Sequence, residues 1–436
     1  MNRCWALAAV VLAALGGAAS TRFPGLTVAA FAGLVVVLAA TRNRPAATAV
    51  LLPLCLLPYA VPIGGLLLGP SDALLLVVAG LLLLDWALGH EPGSLLGPLA
   101  LPAVAFVTWT AMSAAWAADP RAVLVETAQR AAFVLGGIAV VRNLPADGRA
   151  VRAGLVGLVA GAAALGSATV VTGALQGTWL HVYALGMHKN WLGFVLSFGF
   201  VVLVALRVHG ELAAPSLWVT AGVAITLGLA MSGSRGGWIG ALAGAVMIVV
   251  LHRPGLAWPA LSLVAVATVL LLVVAPAATT ERIDVSTPDT SAGMRLRTWS
   301  SGVEAIREEP VLGHGAGNFR AVVKNRGTQV DPNNLMLLAW AETGVFGLVI
   351  LVWLVAAAAR LAVGIGAVAT GTPSLANAAG AAIATAALAH AQVDMFWNRG
   401  IALATFMAFG LVAWSHRRCR VDGHHRAYPP AVVTAP

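Results

Sequence analysis

One polar stretch, from Arg295 to Gly347, interrupts a very apolar chain and runs straight into another hydrophobic span. It carries Arg295, Arg297 and Trp299, then a turn from Pro310 through Gly313, His314, Gly315 and Gly317 to Asn318, then Asn333, Asn334 and Glu342. Guanidinium groups beside amides and a carboxylate suit an anionic, phosphate-like object. The planar donor fork of arginine bonds two oxygens at once and stays charged at any relevant pH. Arg295 and Arg297 are two residues apart, so on a helix they point in different directions. Arg295 is expected to face the site, with Trp299 on the same face as an interfacial anchor; a solvated helix face is the other reading.

The same residue types recur at other junctions. Arg235 sits within Ser232, Gly233, Ser234, Gly236 and Gly237. An arginine at a membrane boundary either snorkels to water or finds an anion, and here backbone N–H groups could join it in a phosphate clamp. Lys189 lies between His188 and Asn190 at the start of another apolar run. His390 and Asp394 are four apart, hence on one helical face. That spacing fits a base whose tautomer is fixed by a carboxylate, and equally a structural hydrogen bond. Glu342 lies several residues into a span, where a carboxylate is expected to pair as a strut or to touch substrate. His314, in the glycine-rich turn, reads more readily as structural than as catalytic.

These groups need elements to hold them, and composition says which kind. The 436 residues are 59% hydrophobic and 10% charged, with mean hydropathy +0.88. A soluble domain carries about 25% charged residues. The apolar runs are continuous rather than alternating, which excludes both a soluble fold and a membrane β-barrel. The chain is expected to be an all-α polytopic membrane protein of about 12–14 transmembrane helices. The expected segments include 4–20, 24–40, 47–68, 257–275, 333–358 and 374–394. The first also resembles a signal peptide, with an uncleaved helix favoured because another span follows at once.

Arg3, Arg42, Arg44, Arg142, Arg149, Arg152, Arg207, Arg253, Arg360 and the basic tail fall on one side if the spans alternate. That side is expected to be the cytoplasm. The net charge of +9 then reflects cytoplasmic anchoring and contact with anionic headgroups, and no nucleic acid is needed. Cys4, Cys55 and Cys419 suggest neither a disulfide nor a structural metal site. The chain divides into scaffold helices over 1–175, helices with polar outside junctions over 176–276, and an extracytoplasmic loop over 277–331. Further helices over 332–415 and a cytoplasmic basic tail over 416–436 complete it. Within the loop, 294–308 reads as an amphipathic helix ended by Pro310.

In this order on a polytopic chain, the motifs resemble the O-antigen ligase/polymerase superfamily of membrane glycosyltransferases. The resemblance covers roughly 110–415 and rests on Ser234-Arg235-Gly236, Arg295 with Trp299, Pro310 with Gly313, Gly315, Gly317, Asn318 and Phe319, Asn334 with Leu337, Glu342 with Gly344 and Gly347, and His390 with Asp394. It implies a metal-independent, cofactor-free enzyme of GT-C type at the cytoplasmic membrane of a bacterium, active on the outer face. Such an enzyme moves a glycan from a polyprenyl diphosphate carrier to a hydroxyl on a glycan, lipid or protein acceptor. Its partners would include the bilayer and a flippase or glycan-export complex. Carried over, the diphosphate ligands are Arg235 and Arg295, with Arg297 and Lys189 beside them. The catalytic candidates are Asn333, His390, Asp394 and Glu342. The family's histidine falls on Asn333, and an amide cannot act as a general base at neutral pH. Either His390 backed by Asp394, or His188 or His314, supplies the base, or leaving-group chemistry suffices, or transfer has been lost. Two rival classes remain: an anion or solute transporter, which should hold its ionisable residues at mid-membrane, and a non-catalytic partner of a glycan exporter.

Overall fold

A computed structural model describes residues 39–63, 66–90, 94–211, 214–256, 259, 291–324, 331–366, 371–394 and 399–427. The expected segments 4–20 and 257–275, and nearly all of 24–40, lie outside the described residues, as does 277–290 of the long loop. The described chain is helical apart from one short antiparallel hairpin, β1 (Val61–Ile63) with β2 (Leu66–Leu68). Its helices are α1 (Arg44–Leu54), α2 (Pro70–Ala87), α3 (Ala100–Met112), α4 (Pro120–Arg142), α5 (Arg149–Gln176), α6 (Lys189–Val208), α7 (Pro215–Ser232) and α8 (Arg235–His252). They continue with α9 (Ser291–Glu308), α10 (Phe319–Val323), α11 (Leu335–Gly366), α12 (Gly371–His390) and α13 (Arg399–Ala427). Among the described residues, eight helices are long and apolar enough to cross a membrane, α2 and α4 to α8 among them. This is a polytopic membrane protein.

One expected span is replaced. Residues 47–68 do not form a single helix: α1 stops at Leu54 and the hairpin follows. Pro58 and Pro62 have no N–H to donate to a helical ladder, so the run cannot continue as helix.

The core is built around α6, whose Leu192, Phe194, Val195 and Leu196 are fully buried. It packs against α5, α7, α8 and α12. Small residues let the backbones approach. A Cβ on Gly237 would lie 2.7 Å from the Cα of Gly193, so the first turn of α8 rests directly on the first turn of α6. The basic ends also meet. Arg152 bonds Glu211 at 3.0 Å, and Arg417 donates to the carbonyl of Leu144 at 2.6 Å. Arg152 and Arg417, which the topology rule assigns to one side, thus lie at one end of the bundle. The opposite end carries the starts of α6, α8 and α11 and the end of α12.

The amphipathic segment forms a helix, α9, slightly longer than expected. It docks on α11 and buries Ala305 and Ile306 against Phe319, Val323, Leu338 and Ala341.

Candidate functional site

The first turn of α8 carries two glycines behind a serine cap, and each has a packing reason. The Ser234 hydroxyl caps the helix by accepting the N–H of Gly237 at 3.2 Å. A Cβ on Gly236 would fall 2.4 Å from the His390 ring. Glycines at 236 and 237 thus seat half-buried Arg235 between the start of α6 and the end of α12. Lys189 and Asn190 open α6 beside it. Lys189 Nζ lies 3.4 Å from His181 Nδ1, and His181 packs against Gly233, just before Arg235.

Asp394 closes the end of α12, its N–H bonding the carbonyl of His390 at 3.1 Å. Its carboxylate accepts a hydrogen bond from the Asn190 amide and lies 3.7 Å from Arg295 Nη2. Arg295 Nε also donates to the carbonyl of Val393 at 2.7 Å. Arg295 therefore ties the loop helix to the end of α12, in addition to its docking on α11. The start of α11 joins the same turn: Leu335 N–H donates to Ala391 at 2.8 Å, and the Asn334 amide to the carbonyl of Gln392 at 3.1 Å. Asn333, half-buried, stands next to these contacts. Arg297 is exposed, in keeping with its different direction on α9.

The histidines of this end each make a structural contact. His390 is fully buried and stacks flat on Phe194, with ring centroids 3.5 Å apart. Among the described residues neither of its ring nitrogens has a hydrogen-bond partner. The structure does not assemble the expected His390–Asp394 pair, because Asn190 and Arg295 engage the carboxylate and Gly236 covers the ring. His314 Nε2 donates to the carbonyl of Ala305 at 3.0 Å, tying the glycine turn to α9. His188 caps α6 by accepting the N–H of Asn190 at 3.2 Å. Partial burial, helped by the Lys189 charge, pulls the His188 pKa below its ordinary value.

Glu342 belongs to a second cluster. Its carboxylate meets Arg130 Nη2 at 3.1 Å and receives the N–H of Gly317. Arg130 also bonds Glu126 at 2.9 Å and the Thr110 hydroxyl at 3.3 Å, just before a π turn over Ala131–Gly136. Over this cluster the glycine turn enters a break in α11. Gly344 has φ 67°, ψ −176° there, and the N–H groups of His314 and Gly315 bond the carbonyls of Ala341 and Glu342 at 3.0 and 2.8 Å. A Cβ on Gly344 would sit 2.0 Å from the carbonyl oxygen of Val311. Three indoles hold the loop: Trp109 donates to Thr343, Trp116 to Leu312 and Trp340 to Pro310, at 2.8, 3.1 and 2.9 Å. Together these three indoles form a tryptophan girdle around the turn that covers Glu342.

Residues 220–352 match the O-antigen ligase family model. Over this segment the chain is similar to the O-antigen ligase family. The match supports glycan transfer of the O-antigen ligase kind by a multi-pass membrane protein of the bacterial inner membrane. A comparison with curated proteins gave no match. The matched stretch contains Arg235, Arg295, Arg297, Asn333 and Glu342, and leaves Lys189, His390 and Asp394 to its flanks. Sequence reasoning passed over Arg130 as the partner of Glu342 and Asn190 as the partner of Asp394. An arginine four residues after a glutamate inside an apolar run was the available signal for Arg130; nothing local marked Asn190.

Proposed function

We propose that this protein transfers a glycan from a polyprenyl diphosphate carrier to an acceptor hydroxyl, at the extracytoplasmic face of the cytoplasmic membrane. The observation that carries the reading is the cationic end of the bundle. Arg235, Lys189 and Arg295 are brought there by three separate elements, around the amides of Asn190, Asn333 and Asn334. The oxygen of the acceptor attacks the anomeric carbon, the bond to the diphosphate breaks, and the hydroxyl proton passes to the departing diphosphate. Arg235 and Arg295, with Lys189, neutralise the charge that develops on the leaving group. In a water-poor site such preorganised donors are worth most in the transition state.

Asn333 takes the place where the family carries a histidine. It can orient a hydroxyl but cannot accept its proton, and His390 is sealed away from the site. The chemistry then rests on positioning and on a well-neutralised leaving group, forgoing the roughly 10²–10⁴-fold that a general base supplies. Asp394 serves to hold Arg295 and Asn190 rather than to deprotonate. Arg297 has no place in the clamp.

Reconstituted protein given a polyprenyl diphosphate glycan pool from its source cell should release polyprenyl diphosphate and elongate or ligate glycan. Arg235→Ala should lose this activity, and Asn333→His should keep or raise it. Wild type that is inactive while Asn333→His is active would identify a chain that has kept the fold and given up transfer. Turnover unchanged in a folded Arg235→Ala variant would remove the clamp.

A further inference from the structure

At the end of the bundle opposite the candidate site, two histidines face each other. His209 caps the end of α6 and His252 ends α8. Each ring bonds the carbonyl one helical turn earlier: His209 Nδ1 to Ala205 at 2.8 Å and His252 Nδ1 to Ile248 at 2.9 Å. A carbonyl can only accept, so both Nδ1 atoms carry the proton. Both Nε2 atoms are then bare lone pairs in the neutral rings, and they stand 3.2 Å apart. Two lone pairs at that distance repel unless something lies between them. The ring centroids are 4.8 Å apart, farther than the nitrogens, so each nitrogen lies on the side of its ring that faces the other. Ser374, in the first turn of α12, brings its hydroxyl to 3.1 Å from His209 Nε2.

We propose that His209 and His252, with the Ser374 hydroxyl alongside, form a binding site for a divalent first-row transition metal such as zinc. The geometry fits. Two metal–nitrogen bonds of about 2.0–2.1 Å at a tetrahedral angle hold their nitrogens about 3.3 Å apart. A ligating histidine characteristically donates its other ring N–H to a carbonyl or carboxylate, which fixes the tautomer and the ring direction. Both rings already have this arrangement from their own helices. Imidazole nitrogens suit zinc, copper, nickel and cobalt rather than magnesium or calcium. Two nitrogens and one hydroxyl leave a coordination position for water, so the site is an exchangeable one. An ion there would tie together α6, α8 and α12, the same three helices whose far ends carry Asn190, Arg235 and Asp394. The proposal does not depend on the glycan-transfer reading.

The test uses full-length protein in detergent, purified without a polyhistidine tag, with His424 and His425 of the basic tail changed to Ala to remove a competing chelator. Co²⁺ is titrated and followed by its visible d–d absorption, and Zn²⁺ by calorimetry and by competition with bound Co²⁺. The expected result is one equivalent of metal with a tetrahedral spectrum, lost in His209→Ala and in His252→Ala and weakened in Ser374→Ala. Monodisperse elution and metal-free Tm report folding. A variant that fails this check is replaced by His209→Gln or His252→Gln, which should also lose the metal. Absence of saturable binding in the parent protein would overturn the proposal, as would binding unchanged in folded variants of both histidines. A pair that binds no metal but takes up one shared proton would likewise overturn it.

Discussion

Two arginine–carboxylate clusters stand near the same end of the molecule, built from the same chemistry, and they differ in the distances of their ion pairs and in the balance of arginine, lysine and carboxylate around them. Around Glu342, Arg130 has its donors directed at Glu126, Thr110 and Glu342, with the ionic contacts at 2.9 and 3.1 Å. Around Asp394, the Arg295 contact is 3.7 Å, and Lys189 and Arg235 come from neighbouring helices. The first cluster sets one arginine between two carboxylates and is closed by the glycine turn and the tryptophan girdle. The second gathers cations faster than it gathers carboxylates. A closed cluster fits a strut; on the reading proposed above, an end that gathers cations suits an anion. Glu342, expected as a catalytic candidate, reads by this comparison as the strut.

Removing one partner from the strut should have the largest effect on folding. Breaking a buried pair leaves the other charge uncompensated, at a cost of about 3–5 kcal/mol. Arg130→Ala, which strands buried Glu342, should lower Tm sharply in detergent; Glu342→Ala should lower it less, because Arg130 keeps Glu126, and the double variant should lose much less than the sum. Equal and additive losses would mean that the two side chains do not act as a pair, and the comparison would fail at its firmer end.

The clamp should behave in the opposite way. Arg235→Ala and Arg295→Ala are expected to cut turnover at least about a hundredfold, corresponding to roughly 3–4 kcal/mol of transition-state stabilisation for one donor. Tm should move little in Arg235→Ala, and somewhat more in Arg295→Ala because α9 loses its link to Val393. A variant that lost stability without losing turnover per folded molecule would turn the second cluster into another strut.

A sharper probe of the strut lies in its covering loop. Gly344 adopts φ 67°, ψ −176°, a region that other residues occupy at a cost of about 1–3 kcal/mol. Added to that, a Cβ there would collide with Val311. Gly344→Ala should lower Tm and expose the tryptophan girdle, read as a shift in fluorescence. Transfer should fall only as far as folded protein is lost.

The polytopic class and the amphipathic α9 were legible in composition and apolar periodicity, because a bilayer imposes both. Arg235 and Arg295 were legible as candidates because a cation is conspicuous in an apolar chain. What could not be read was pairing. Asp394 and Asn190 are 204 residues apart, and Arg130 and Glu342 are 212 apart, so only the packing of α3, α4, α6, α11 and α12 decides who meets whom. The expected His390–Asp394 dyad rested on helical spacing alone. Spacing puts two residues on one face, but it cannot show that Gly236 and Phe194 enclose one of them. The hairpin at 61–68 was masked by hydrophobicity averaged across prolines.

The smallest expected effect concerns pH and the edge of the clamp. Partial burial and the Lys189 charge lower the pKa of His188, so the folded protein holds it neutral more readily than the unfolded chain does. The unfolded chain binds the proton first, from about pH 6.5 downward. Stability should therefore be level above that pH and fall as the pH drops from about 6.5 toward the lowered folded pKa. Solvent screening keeps the slope shallow for a side chain this open to water. His188→Asn, which keeps a cap acceptor for α6 and removes the titration, should flatten Tm against pH in that window. It should leave Arg235-dependent turnover at neutral pH in place. An unchanged slope would assign the acid sensitivity to other groups, and a large loss of neutral turnover would bring His188 back as the base that His390 cannot be.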